Sequence, residues 1–252
     1  MVQKALITGA TSGIGKELAI LMAKSNHDLV LVARNKDNLL AVKNEINSFS
    51  SVNVSFYQAD LSQNGSAAKL FNETKKEGIE ILINNAGVGL KGDFFHDDLS
   101  KTIQIAQLNM ISLMELSHLY GNYFLKQNSG KILNIGSIAA FLPGPKQAVY
   151  YATKSFVRNL SRSLAYNLRN SNVTVTTLHP GVTKTNFFNA SGATNFSKGA
   201  PASSVAALGY KAMMNGKIEV TYGLFNKFLV NFVLRFIPYK YQAYLVDNAS
   251  EI

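Results

Sequence analysis

The sequence has no cysteine. Disulfides, thiolate nucleophiles and cysteine-based metal sites are therefore excluded, and no metal site is expected. Charge is sparse too: 16% of residues are charged against 47% hydrophobic, a balance that fills a core and argues against disorder. The net charge is +10, yet the basic residues are scattered, with pairs such as Lys75-Lys76 and no longer block. A nucleic-acid partner would need a concentrated patch, so none is expected. The excess is read as a solvated surface, or as attraction to phosphate-bearing ligands or an anionic membrane. No charged, apolar and small-residue leader precedes Ala5-Leu6-Ile7, so a cytoplasmic location is the expectation. There is no internal repeat and no Pro/Ser linker, and 252 residues read as one domain over 1–252.

What is present is an alternation of short apolar strands with amphipathic helices. Lys4–Thr8 reads as a buried strand and runs into Thr8-Gly9-Ala10-Thr11-Ser12-Gly13-Ile14-Gly15, after which Leu18, Leu21 and Met22 share a helix face. A strand, a glycine-rich turn and a helix aim backbone N–H groups and a helix N-terminus at a pyrophosphate. Gly9, Gly13 and Gly15 would let the backbone approach it closely. The second strand, 28–33, ends at Ala33 with Arg34 and Asn35 following and no acid. An acid there would bind the ribose hydroxyls of NAD; an arginine suits the 2′-phosphate of NADP bidentately. NADP(H) is therefore preferred, with NAD(H) as the other candidate.

Further strands are expected over 52–58, 79–83, 131–136, 173–178 and 217–221, with helices over 39–49, 67–76 and 150–169. One long buried helix is expected over 100–125, with Asn109 among apolar neighbours. Asparagine is a poor helix-interior residue and calls for a buried partner or a function there. Asp60-Leu61 follows the third strand; Asp60 either accepts from an adenine amino group or starts the next helix. Asn84-Asn85-Ala86-Gly87 follows the fourth, as a turn packed on a flat ligand or as an ordinary turn. The sum is a doubly wound α/β parallel sheet of about seven strands, with helices on both faces and every motif on its carboxyl edge.

Ser137 leaves the fifth strand, and Tyr150 and Lys154 follow at helical spacing. Residues at i and i+4 share a helix face. An ammonium beside a phenol favours the phenolate, so the spacing predicts a Tyr150 pKa below its reference of about 10. The serine hydroxyl would hold the same substrate oxygen.

In this order and spacing the motifs resemble those of the short-chain dehydrogenase/reductase family, from Lys4 to about Thr221. The resemblance implies hydride transfer between a nicotinamide and a carbonyl or alcohol carbon, with Tyr150 as general acid/base. It implies that Ser137 holds the oxygen, that Lys154 lowers the Tyr150 pKa and holds the nicotinamide ribose, and that Asn109 kinks its helix and tethers a water leading to Lys154. Asp60, Leu61, Asn85, Ala86 and Gly87 would line the cofactor site. Pro180, Gly181, Thr183 and Thr185 would hold the carboxamide. The family implies a small-molecule substrate and a homodimer or homotetramer. The rival readings are a non-catalytic dinucleotide sensor or scaffold and, less favoured, an epimerase on the same fold.

Ala139, Phe141 and Leu142, with Phe187 and Phe188 in a low-periodicity stretch at 186–202, are candidate substrate contacts. That stretch is expected to act as a lid. Core or oligomer packing is the competing role for these phenylalanines. In the apolar extension 224–252, residues 224–237 read as a helix apolar nearly all round and too short to span a membrane. It would pack on the sheet or a partner subunit, roof the pocket, or lie on a membrane surface.

Overall fold

The computed structural model describes residues 3–185, 187 and 199–249. Its centre is a seven-stranded parallel sheet of β1 (Lys4–Thr8), β2 (Asp28–Ala33), β3 (Val54–Gln58), β4 (Ile79–Asn84), β5 (Gly130–Ile135), β6 (Val173–His179) and β9 (Glu219–Thr221), in the order β3-β2-β1-β4-β5-β6-β9. β7 (Thr183–Lys184) and β8 (Ala200–Pro201) form a separate pair. The strand order reverses between β1 and β4, which opens a crevice at the carboxyl edge.

Strand side chains alternate between faces, so both faces of such a sheet must be apolar. Ala5, Ile7, Leu29 and Leu31 pack with α1 (Gly13–Lys24), α2 (Lys36–Asn47) and α7 (Ala202–Met214). Leu6, Val30 and Val32 pack on the other side with α3 (Ser66–Thr74), α5 (Leu113–Gln127) and the inner edge of α6 (Ala148–Asn167).

Three expectations need correction. The helix expected over 100–125 is α4 (Leu99–Ala106), a π-helical turn (Gln107–Ser112) and α5. It is not buried throughout, since Ile103 is 58% exposed. The helix expected over 224–237 breaks at Phe232, where φ is −121° and ψ −60°, giving α8 (Leu224–Asn231), a 3-10 turn (Val233–Arg235) and then α9 (Tyr239–Ala249). Its apolar residues are mostly uncovered: Val230 and Leu234 are buried, while Phe225, Phe228, Phe232 and Phe236 are exposed. The end of the expected lid is regular structure, β8 and the start of α7, because Ala200 donates to Val182 O. Residues 186 and 188–198, Phe188 among them, lie outside the described residues.

A buried polar chain fixes α6 against the sheet. Asn84 Nδ2 donates to Asn134 Oδ1 at 2.9 Å and to Ser117 Oγ at 3.1 Å, and Asn134 Nδ2 donates to Ser161 Oγ at 2.8 Å. The four side chains tie β4, α5, β5 and α6 together. Asn134→Ala strands its partners in the core and is expected to destabilise by about 2–4 kcal/mol; the shift in the urea midpoint at unchanged m-value measures it.

Candidate active site

The glycine turn after β1 is folded around Asn85. The Asn85 Nδ2 donates to Thr8 O and Gly9 O, each at 3.0 Å. Thr8 Oγ1 accepts from the backbone of Asn85 and Ala86 at 3.0 Å each. A Cβ on Gly15 would lie 2.3 Å from both Asn85 Nδ2 and Gly9 O, so the turn closes only with glycine there. Gly9 and Gly13 have φ of +64° and +54°, the left-handed region. Asn85 is thus a clamp on the turn. Ser12 begins α1 without a side-chain capping bond, and no acid lies in the first turn. The N-terminal N–H groups and the positive end of the dipole face the crevice, as an anion requires. Thr185 stands over this turn, with its Cγ2 2.8 Å from where a Gly13 Cβ would be. The segment that follows β7 thus reaches across to the turn after β1.

Arg34 is exposed at the end of β2. Asp60 takes both the N–H and the hydroxyl of Ser62, at 3.0 and 2.7 Å. Its burial opposes ionisation, but the Ser62 bonds, with Arg34 nearby, leave the carboxyl below the usual value. Leu61 is buried, and its carbonyl accepts from Ser112 Oγ. The turn's glycine cradle, the open helix start and the exposed Arg34 fit a phosphate-bearing dinucleotide.

At the other end of the crevice, Asn109 sits in the π turn. Such a turn adds a residue to the helix and often marks a functional position. The Asn109 Oδ1 accepts from Val88 N at 3.0 Å, and its Nδ2 donates to Val88 O at 2.8 Å and Thr153 Oγ1 at 3.2 Å. Gly87 lies between Asn109 and Lys154: its absent Cβ would be 3.2 Å from Asn109 Oδ1 and 3.6 Å from Lys154 Nζ. Lys154 is buried and donates to Ile135 O at 2.9 Å. Its Nζ is 5.8 Å from the Tyr150 ring centroid. The Ser137 hydroxyl lies near enough to the Tyr150 phenol to favour its ionised form and accepts from Ala139 N at 3.1 Å. The Phe187 ring stands 5.4 Å from that of Tyr150. Phe141 packs elsewhere, edge-on to His179 at 5.0 Å and under Arg158.

The acidity expected from spacing alone does not hold. Burial pushes the Tyr150 phenol up to about 12; the Ser137 hydroxyl pulls it back in part, and Tyr151 adds to the rise. Burial pulls the Lys154 ammonium down to about 8. Removal from water acts on both groups more strongly than their mutual attraction. Tyr150 is therefore a neutral phenol over the ordinary pH range, the form that donates a proton.

Sequence reasoning missed His179. It is fully buried, and its Nδ1 lies 3.2 Å from Ser137 O. Ile138 N also donates to Pro180 O at 2.9 Å, so the chain on both sides of Ser137 is tied to the end of β6. Position 179 just before Pro180-Gly181 was its one signal. Thr183 Oγ1 donates back to Gly181 O at 2.9 Å, tightening the turn.

A sequence model of short chain dehydrogenases matches residues 3–195. The chain belongs to the short-chain dehydrogenase family. Its members are oxidoreductases acting on CH–OH groups with a nicotinamide dinucleotide. The short-chain dehydrogenase of Sphingobium yanoikuyae, solved with NADPH, superposes with a TM-score of 0.85 at 29% identity, over 99% of this chain and 94% of that one. The bulky-bulky ketone specific alcohol dehydrogenase of Comamonas testosteroni gives 0.80 at 26% identity, over 99% and 92%. A very-long-chain 3-oxoacyl-CoA reductase of Anas platyrhynchos is 33% identical over 70% of this chain, and the match spans 58% of that relative's length.

The Lys154 shift has a consequence for stability. Its folded value, about 8, lies below the ordinary 10.5, so between those values the unfolded chain binds the extra proton. Stability must then rise with pH across that window, and below it the folded state carries the full cost of a buried ammonium. Melting curves of the wild type and Lys154→Met are expected to converge as pH rises from 8 to 10.5, the wild type gaining on the variant. Parallel curves would show an unshifted lysine.

Proposed function

We propose that this short-chain dehydrogenase interconverts a bulky, apolar ketone or aldehyde with its alcohol, using NADP(H) in preference to NAD(H). The observation that carries the reading is the Ser137 hydroxyl beside the Tyr150 phenol, with the Lys154 ammonium 5.8 Å from the Tyr150 ring centroid. A bound nicotinamide supplies the hydride. Ser137 holds the substrate oxygen as charge builds on it. Tyr150 gives that oxygen its proton, and Lys154 favours the phenolate left behind. Asn109, which holds Val88 and Thr153, keeps the floor of the site in register with α6.

Arg34 and the lack of an acid at the two positions directly after β2 support NADP(H), as does the NADPH bound to the Sphingobium relative. Phe187 beside Tyr150 supports an apolar substrate, as do the bulky ketone and long acyl chain in the relatives' names. Four such active sites assembled in a homotetramer, or two in a homodimer, in the cytoplasm complete the reading.

Two measurements test it. In NADPH and NADH titrations, Arg34→Ala is expected to weaken NADPH about tenfold or more, the size of a charge-assisted hydrogen bond, and to leave NADH unchanged. Equal loss for both would make Arg34 a surface residue. Tyr150→Phe is expected to lower kcat for ketone reduction by about a hundredfold or more while the cofactor still binds; retained turnover would remove Tyr150 from the chemistry.

A further inference from the structure

A second polar concavity lies behind the active site, between α6, β9 and the C-terminal segment. It is a groove of about 440 Å³ lined on its polar side by Arg158, Arg162, Arg235, Asn231 and Glu219. Three guanidiniums face one carboxylate, so two positive charges are unmatched among the lining groups. Arg158 Nε and Arg162 Nε each lie 3.7 Å from Glu219 Oε2, and the buried His179 Nε2 lies 3.8 Å from the same atom. None of these is a hydrogen bond. Arg158 Nε, His179 Nε2 and Glu219 Oε2 are all buried without a hydrogen-bond partner. Arg235 is close enough to Arg158 to oppose its charge. Buried donors are normally paired, and Glu219, within ion-pair distance of Arg158 and Arg162, offsets only one of the three positive charges.

The remainder of the wall is apolar, from Phe141, Leu142, Val230 and Leu234. The Arg158 guanidinium carbon sits over the Phe141 ring, 4.1 Å from its centroid, and a guanidinium so placed can offer its edge N–H groups to a planar or tetrahedral anion. We propose that this groove binds an amphipathic organic anion, a carboxylate or phosphate monoester on an acyl or aryl body, at a site separate from the dinucleotide crevice. The head sits among the arginines and the body lies on Leu142, Val230 and Leu234. The chain leaving Ser137 forms one wall, so the groove and the active site share a partition.

Octanoate and octyl phosphate are the probes, titrated calorimetrically into the full chain below their aggregation limits. Saturable one-to-one binding of at least one probe is expected, weakened about tenfold or more by Arg235→Gln and by Arg162→Gln and unaffected by Arg34→Ala. The probe that binds more tightly tells carboxylate from phosphate. Arg235 is exposed and the Arg162 side chain half-exposed, so the fold tolerates both changes; if Arg162→Gln lowers the melting temperature, Arg235→Gln carries the test alone. The proposal is overturned if neither probe saturates or if binding survives Arg235→Gln. It is equally overturned if Arg34→Ala abolishes binding, which would place the anion in the dinucleotide crevice.

Discussion

The ammonium of Lys154 is buried and donates to the Ile135 carbonyl at the end of β5, and the active site is arranged around that one bond. A buried cation is costly unless it is paired and hydrogen-bonded. Here the strand end supplies the acceptor, and the bond fixes how α6 lies across the sheet. Tyr150, one turn earlier on the same face, is thereby set against Ser137. The π turn at Asn109 serves the same end from the opposite side: it turns a carboxamide toward Val88 and Thr153 and brings Gly87 close to Lys154. The polar chain from Asn84 through Asn134 to Ser161 holds the middle of α6.

The other half of the crevice rests on Asn85. Its amide bonds to Thr8 and Gly9 close the glycine turn and leave the N-terminal N–H groups of α1 uncovered. Because Asn85 and Gly87 both follow directly on β4, one strand end positions the glycine turn and the surroundings of Lys154 together. The His179 ring does for β5 and β6 what Asn85 does for β1 and β4, since its contact with Ser137 O crosses between neighbouring strand ends. The geometry of the candidate site thus follows from cross-links among strand termini, and the sheet's parallel register sets their spacing.

Much of this was legible in the residues. Runs such as Leu29-Val30-Leu31-Val32 are apolar on both faces and too short for helices, so the strands and their order of appearance could be read directly. Each motif sat just past such a run, which placed all of them on one edge. The π turn was not legible, because Gln107–Ser112 has no composition that separates it from an ordinary helix. The acidity of Tyr150 was misread for a physical reason: spacing shows which groups are neighbours and says nothing of how far both are removed from water. Residues 84–87 read as a turn packed on a flat ligand or as an ordinary turn; that the Asn85 Nδ2 would bond to Thr8 O and Gly9 O, carbonyls distant in sequence, was not legible. The break at Phe232 and the exposure of its neighbours depend on what the tail meets in three dimensions, which hydropathy alone does not give.

The central claim is that a hydride reaches a carbonyl carbon at this edge while a protein-held proton reaches its oxygen. The most direct measurement follows the label: NADPH deuterated at C4 of the nicotinamide, a bulky aryl alkyl ketone in ordinary water, and mass spectrometry of the alcohol. The account predicts one deuterium on the carbinol carbon from one face of the labelled cofactor, and none on carbon when unlabelled cofactor is used in heavy water. An alcohol without cofactor-derived deuterium, or no alcohol at all, would contradict it.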